Sequence, residues 1–116
     1  MKRQIGLVAI AVALSIGFGA LHSRSGESSD ILFENERVRV RSVILEPGVH
    51  HPEHTHDLPH VGVIVKPGTL EFHEGGEIEV VEFQAGDAGW REAGVTHSIV
   101  NQSAAPVHVV EVELKD

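Results

Sequence analysis

Apolar residues are distributed in two ways along this chain of 116 residues. Positions 5–21 form one uncharged apolar run, whereas from position 31 onward apolar and polar residues alternate in short segments. A period of two sends successive side chains to opposite faces of an extended backbone, so these segments predict strands. The stretch from Ile31 to Leu45, with its alternation from Glu36 onward, predicts a strand with Arg37, Arg39 and Arg41 on the wet face. There the arginines protect an edge or, as the alternative, bind an acidic ligand. Further strands are predicted at 61–66, 69–74, 77–83, 88–92, 97–101 and 107–114. Glu46-Pro47-Gly48, Lys66-Pro67-Gly68, Gly75-Gly76 and Ala85-Gly86-Asp87 supply turns, the Gly-Gly pair being a two-residue hairpin signal. No 3.6-residue period follows the first apolar run. Many short antiparallel strands joined by turns imply an all-β sandwich or barrel.

The apolar run itself follows Lys2 and Arg3 and precedes the polar segment from Ser23 to Asp30. A charged amino end, an apolar centre and a polar exit have the layout of an export signal. Gly17-Phe18-Gly19 offers small residues for cleavage, and an uncleaved membrane anchor is the alternative, since the run is near the minimum spanning length. The expected organisation is therefore a signal or anchor helix at 1–21, a linker at 22–30 and one β-domain at 31–116, exported to the periplasm or beyond.

Composition narrows the function classes. The 9 basic and 17 acidic residues leave a formal charge of −8, which argues against nucleic acid or an anionic membrane surface as partner. Aromatic residues make up only 4%, too few for base-stacking platforms. The chain has no cysteine, so it has neither disulfides nor thiolate ligands. Histidine is the anomaly: five of the nine lie between His50 and His60. His54 and His56, two apart, share a face of an extended strand and can grip one ion. His60 follows Pro59 at the start of the next apolar run and can return as a third ligand. His97 follows a glycine-bounded turn in the second half. Imidazole is the commonest protein ligand for zinc, copper, iron and nickel, so the pattern points to a metal site; a histidine-rich surface loop is the plainer alternative.

Two spacings resemble the paired motifs of the cupin superfamily. Gly48, His54 and His56 match the first motif, His60 stands where that motif usually has glutamate, and Gly68 arrives one residue late. Gly86, Gly94, His97 and Asn101 match the second, with Glu92 in place of its proline. The resemblance implies a single-domain cupin jelly-roll barrel. It also implies one divalent transition metal (Fe, Mn, Ni, Cu or Zn) held by His54, His56, His60 and His97, and pairing into a homodimer. Cupins include dioxygenases, isomerases, decarboxylases and non-catalytic binders. The expectation carried forward is a metal-dependent, oxygenase-like enzyme acting on a small organic substrate, with a non-catalytic exported module for a metal or small ligand as the alternative.

The remaining candidates take plainer expectations. His50 and His51 are placed in a loop, His73 on the solvent face opposite Leu70 and Phe72. His108 shares a strand face with Val110, Val112 and Leu114, where it either enters the barrel or stays half-buried. Trp90 is either a pocket wall or core, and Glu92 faces solvent by default. Ser98 adjoins His97 but faces the other way, so no Ser-His pair follows. Asn101 opens the pattern Asn101-Gln102-Ser103, which matches a glycosylation acceptor but is read as a motif residue that hydrogen-bonds a turn.

Overall fold

The computed structural model describes residues 27–116. The expected signal or anchor helix and most of the linker lie outside the described residues. Within them are nine strands and no helix: β1 (Glu27–Glu34), β2 (Val38–Leu45), β3 (His50–Thr55), β4 (His60–Lys66), β5 (Gly68–Glu74), β6 (Glu77–Phe83), β7 (Ala88–Arg91), β8 (Thr96–Asn101) and β9 (Val107–Leu114). They form a five-stranded sheet in the order β1-β2-β9-β4-β7 and a four-stranded sheet in the order β3-β8-β5-β6. Neighbouring strands are antiparallel throughout both sheets.

The stretch from Ile31 to Leu45 is divided rather than continuous. Asn35 turns the chain between β1 and β2: its Oδ1 accepts from the backbone N–H groups of Arg37 and Val38 at 2.7 and 2.9 Å. This is the local bonding by which asparagine competes with a continuing strand. β1 begins at Glu27, inside the stretch assigned to the linker, and pairs along β2 from Glu27–Leu45 to Glu34–Arg39.

The space between the sheets is apolar at one end and polar at the other, because the inward rows of the larger sheet change character along its strands. Leu45 pairs with Val107, and Val43 and Ile64 both pair with Val109. These residues pack with Leu70, Phe72, Val81, Phe83 and Ile99 from the facing sheet as the core. Burying each such side chain contributes about 1.5–3 kcal/mol. One row further along, Arg41 pairs with Glu111 and Glu111 with Gly62; the next row joins Arg39, Glu113, His60 and Arg91. Gly68 permits the close crossing at the apolar end. A Cβ there would strike the Val107 and Ser103 side chains, and the Ser103 hydroxyl accepts from Thr69 N–H at 2.6 Å.

One expectation about strand faces is corrected, and of the two readings of His108 the half-buried one holds. Arg41 is buried rather than solvated, and its Nε lies 3.3 Å from Glu113, whose Oε1 also takes Arg39 Nε at 2.5 Å. On β9 the buried face carries Val107, Val109, Glu111 and Glu113. His108 therefore lies on the opposite face, half-buried, with its Nε2 2.7 Å from the Ser42 hydroxyl. The physical reason is the same in both strands: oppositely charged residues in adjacent rows neutralise one another, which lets them occupy the interior. Trp90 is half-buried rather than core. It pairs with Val61 on the far side of β4 from His60 and donates its indole N–H to the exposed Glu92 at 2.7 Å.

Candidate metal centre

The histidines of β3 are placed by a bulge. His51 pairs with Ile99 and His54 with His97, so three steps on β3 match two on β8. The extra residue falls at Pro52-Glu53, and proline, lacking an N–H, suits a break in the ladder. Both His51 and His54 thereby face inward, with ring centroids 5.0 Å apart. The expectation that His50 and His51 lie in a loop is overturned: both are in β3, and His51 is buried. His56 lies just beyond the strand, yet its backbone is clamped. Its N–H donates to Val95 O at 3.0 Å and its carbonyl accepts from Gly94 N–H at 2.8 Å. Gly94 has φ +91°, a conformation glycine adopts without the penalty that a Cβ imposes.

Three imidazole nitrogens meet as a result. His54 Nε2 lies 3.2 Å from His56 Nε2, which lies 3.1 Å from His97 Nε2. His54 donates its Nδ1–H to Pro52 O at 3.0 Å, which leaves Nε2 as the lone-pair nitrogen. His60 donates Nδ1–H to Leu58 O at 3.2 Å, and its Nε2 is buried without a hydrogen-bond partner. The His60 ring stacks on His56 with centroids 4.5 Å apart. The four expected ligands thus gather around His56, in two overlapping groups. His54, His56 and His97 form one; His56, His60 and Glu111 form the other, with donor atoms in each group within 4.8 Å of one another.

The group fits a metal ion on the chemistry of its donors. With His54 Nε2 unprotonated, a single proton on His56 Nε2 is shared between two acceptors, and any other neutral arrangement sets two lone pairs or two N–H protons face to face. A cation among them satisfies all three. Metal–imidazole bonds of about 2.0–2.1 Å place adjacent nitrogens about 2.8–3.4 Å apart between octahedral and tetrahedral surroundings, which spans the two observed separations. Burial keeps the rings neutral, as ligation requires. It lowers His56 and His97 from 6.5 to about 2, neighbouring histidines and Arg91 adding to the effect, and it lowers His54 and His60 as well. His51 falls to about 4, first through burial and then through His54 and His50.

Around the histidines stand residues that the strand periodicity had turned outward or left unremarked. Glu111 is fully buried, and Arg41 and Glu113 are nearly so. Arg91, beside His60 in the sheet, donates Nη1–H to Glu74 at 2.8 Å, leaves its buried Nε without a partner, and holds its guanidinium 5.7 Å from the Phe72 ring centre. Phe72, Glu74, Ile78 and Arg91 line a cavity of about 580 Å³, and the Phe72 ring lies 6.0 Å from that of His97. His73 bonds Glu71 at 2.5 Å on the opposite face, away from Phe72. Asn101 is buried and bonds three backbone groups, so its side chain belongs to a turn and is closed to glycosylation.

Comparison with known proteins adds four findings. The family model of the cupin domain matches residues 41–113. The β-alanine degradation protein BauB of Pseudomonas aeruginosa PAO1 is 34% identical over 82 residues, which cover 71% of this chain and 86% of that protein. A crystal structure of a cupin domain from Bordetella pertussis Tohama I superposes with a TM-score of 0.74 at 28% identity, over 81% of this chain and 98% of the other. The polyketide cyclase RemF of Streptomyces resistomycificus shares the fold at 16% identity, with a TM-score of 0.63 over 78% of this chain and 66% of that one.

Proposed function

This chain belongs to the cupin family, and we propose that it is a metal-dependent enzyme of the oxygenase type that acts on a small anionic organic substrate. The observation that carries this reading is the convergence of the His54, His56 and His97 Nε2 atoms, with His60 stacked on His56. These residues would hold one divalent ion of Fe, Mn, Ni, Cu or Zn. When bound, such an ion supplies Lewis acidity and, if redox-active, electrons for dioxygen chemistry. The carbonyls of Pro52 and Leu58 fix the tautomers of His54 and His60, so those ligands are oriented before an ion arrives.

The all-imidazole shell favours a small acid. Neutral imidazoles leave the charge of a dication uncancelled, and Arg91, ion-paired with Glu74, stands beside His60. Phe72 offers apolar contact in the cavity that it lines with Arg91, Glu74, Glu77 and Glu79. The name of the Pseudomonas relative attaches that protein to β-alanine degradation, a context of small carboxylates. Export through the apolar run at 5–21 would place this activity outside the cytoplasm.

The test is oxygen uptake by protein loaded separately with each of the five metals and offered a panel of small carboxylic and 1,3-dicarbonyl acids. Substrate-dependent uptake with a redox-active metal, lost in the metal-free protein, is expected. A fully loaded protein that consumes no oxygen and converts none of the panel would contradict the enzyme and leave a module that captures a metal or small ligand.

A further inference from the structure

A carboxylate lies beside the histidines at a position outside both motifs. The first motif's glutamate position holds His60, whereas Glu111 comes from the last strand, ten residues beyond the asparagine that closes the second motif. Glu111 is fully buried, and a carboxylate oxygen shares with His56 and His60 nitrogens a group whose donors all lie within 4.8 Å of one another. Its row in the sheet is built differently from the next. Glu113 is held by Arg39 and Arg41, and its other cross-strand neighbour is His60. Glu111 has Arg41 beside it on β2 and Gly62 on β4, and Gly62 is followed by Gly89 on β7. Two positions without side chains leave room for the carboxylate to lie across the sheet towards His56 and His60.

We propose that Glu111 is a carboxylate ligand of the metal centre, taking the ion together with His56 and His60. This rests on the metal-site reading given above and deepens it. Two imidazoles and one carboxylate, as in His56, His60 and Glu111, are the donor set of non-haem iron oxygenases, and oxygen donors suit Mn(II) and Fe(II) better than Cu(II). Glu111 also halves the net charge that the ion would carry among neutral histidines. That keeps a dication in the interior without a saturated shell, so a substrate acid can still approach. His56 belongs to both donor groups and is the pivot of the assembly.

The experiment compares the parent chain with Glu111→Gln and, as a control that removes a buried charge one row away, Glu113→Gln. Mn(II) and Cu(II) are titrated into each metal-free protein, with binding read by Mn(II) electron paramagnetic resonance and calorimetry. Glu111→Gln is expected to weaken Mn(II) at least about 10-fold more than Glu113→Gln does, and to weaken Cu(II) less than Mn(II). Equal Mn(II) affinity in the parent and Glu111→Gln overturns the proposal while leaving the histidine site standing. No Mn(II) or Cu(II) bound by the parent overturns both. Should Glu111→Gln not fold, a crystal structure of the Mn(II)-loaded parent decides. A Glu111 oxygen within about 2.2 Å of the ion supports ligation, and one beyond hydrogen-bond reach refutes it.

Discussion

Asn101 shows how much of the barrel one side chain can hold. Its Nδ2 donates to Leu45 O and Ala105 O at 2.9 and 3.0 Å, and its Oδ1 accepts from Ser103 N–H at 2.7 Å. The end of β2 and the β8–β9 turn are thereby tied to the strand that carries His97. Alanine at this position would leave buried carbonyls and an N–H unmatched, and each unmet buried group costs about 1–3 kcal/mol. Asn101→Ala is therefore expected to lose about 2–4 kcal/mol in urea unfolding of the metal-free protein. A loss below about 1 kcal/mol would show that water replaces these bonds. The carbonyls of Pro52 and Leu58 act at the same scale, each dictating which nitrogen of a histidine is free to bind.

At the scale of elements, strands and faces were legible to different degrees. Period-two alternation located β4, β5, β6, β7, β8 and β9 to within a residue or so, because turn residues punctuate a simple pattern. It located the buried face of β5, where Leu70 and Phe72 stand against Glu71 and His73. It failed on β2 and β9, where both faces hold valines and the choice rests on where the charges go. Counting apolar residues turns Arg41, Glu111 and Glu113 outward; the structure turns them inward because each finds an opposite charge or a histidine in a neighbouring row. The signal was present as arginines at 39 and 41 against glutamates at 111 and 113, but only the pairing of β2 with β9 makes it readable. The bulge at Pro52-Glu53 is the other unread feature. It brings His51 inside, which strict alternation from His54 forbids. His54, His56, His60 and His97 were legible because they stand at motif spacings. Glu111 was not, because it belongs to no local pattern.

For the whole molecule, four buried histidines and the half-buried His54, all neutral, couple stability to pH. In the folded, metal-free protein, burial holds His51 near 4 and His56 and His97 near 2, and lowers His54 and His60. Unfolded, each titrates near 6.5. Below that value the unfolded chain binds protons that the folded chain refuses, so acid favours unfolding. Stability is fully present above about pH 6.5 and is lost as pH falls towards the folded values, by up to about 1.4 kcal/mol per pH unit for each histidine engaged. The melting temperature of metal-free protein is expected to drop between about pH 7 and about pH 5. An unchanged value across that window would mean that the rings are already charged or solvated in the folded state.

A metal ion makes the complementary contribution, since a ligand that binds only the folded state raises its stability. The most direct measurement is elemental analysis of the chain purified without chelator, beside a variant carrying both His54→Ala and His56→Ala. About one equivalent of Fe, Mn, Ni, Cu or Zn is expected in the parent and none in the variant, with a melting temperature that rises with added metal in the parent alone. A parent that holds no metal even after reconstitution, or a variant that holds as much as the parent, would contradict it.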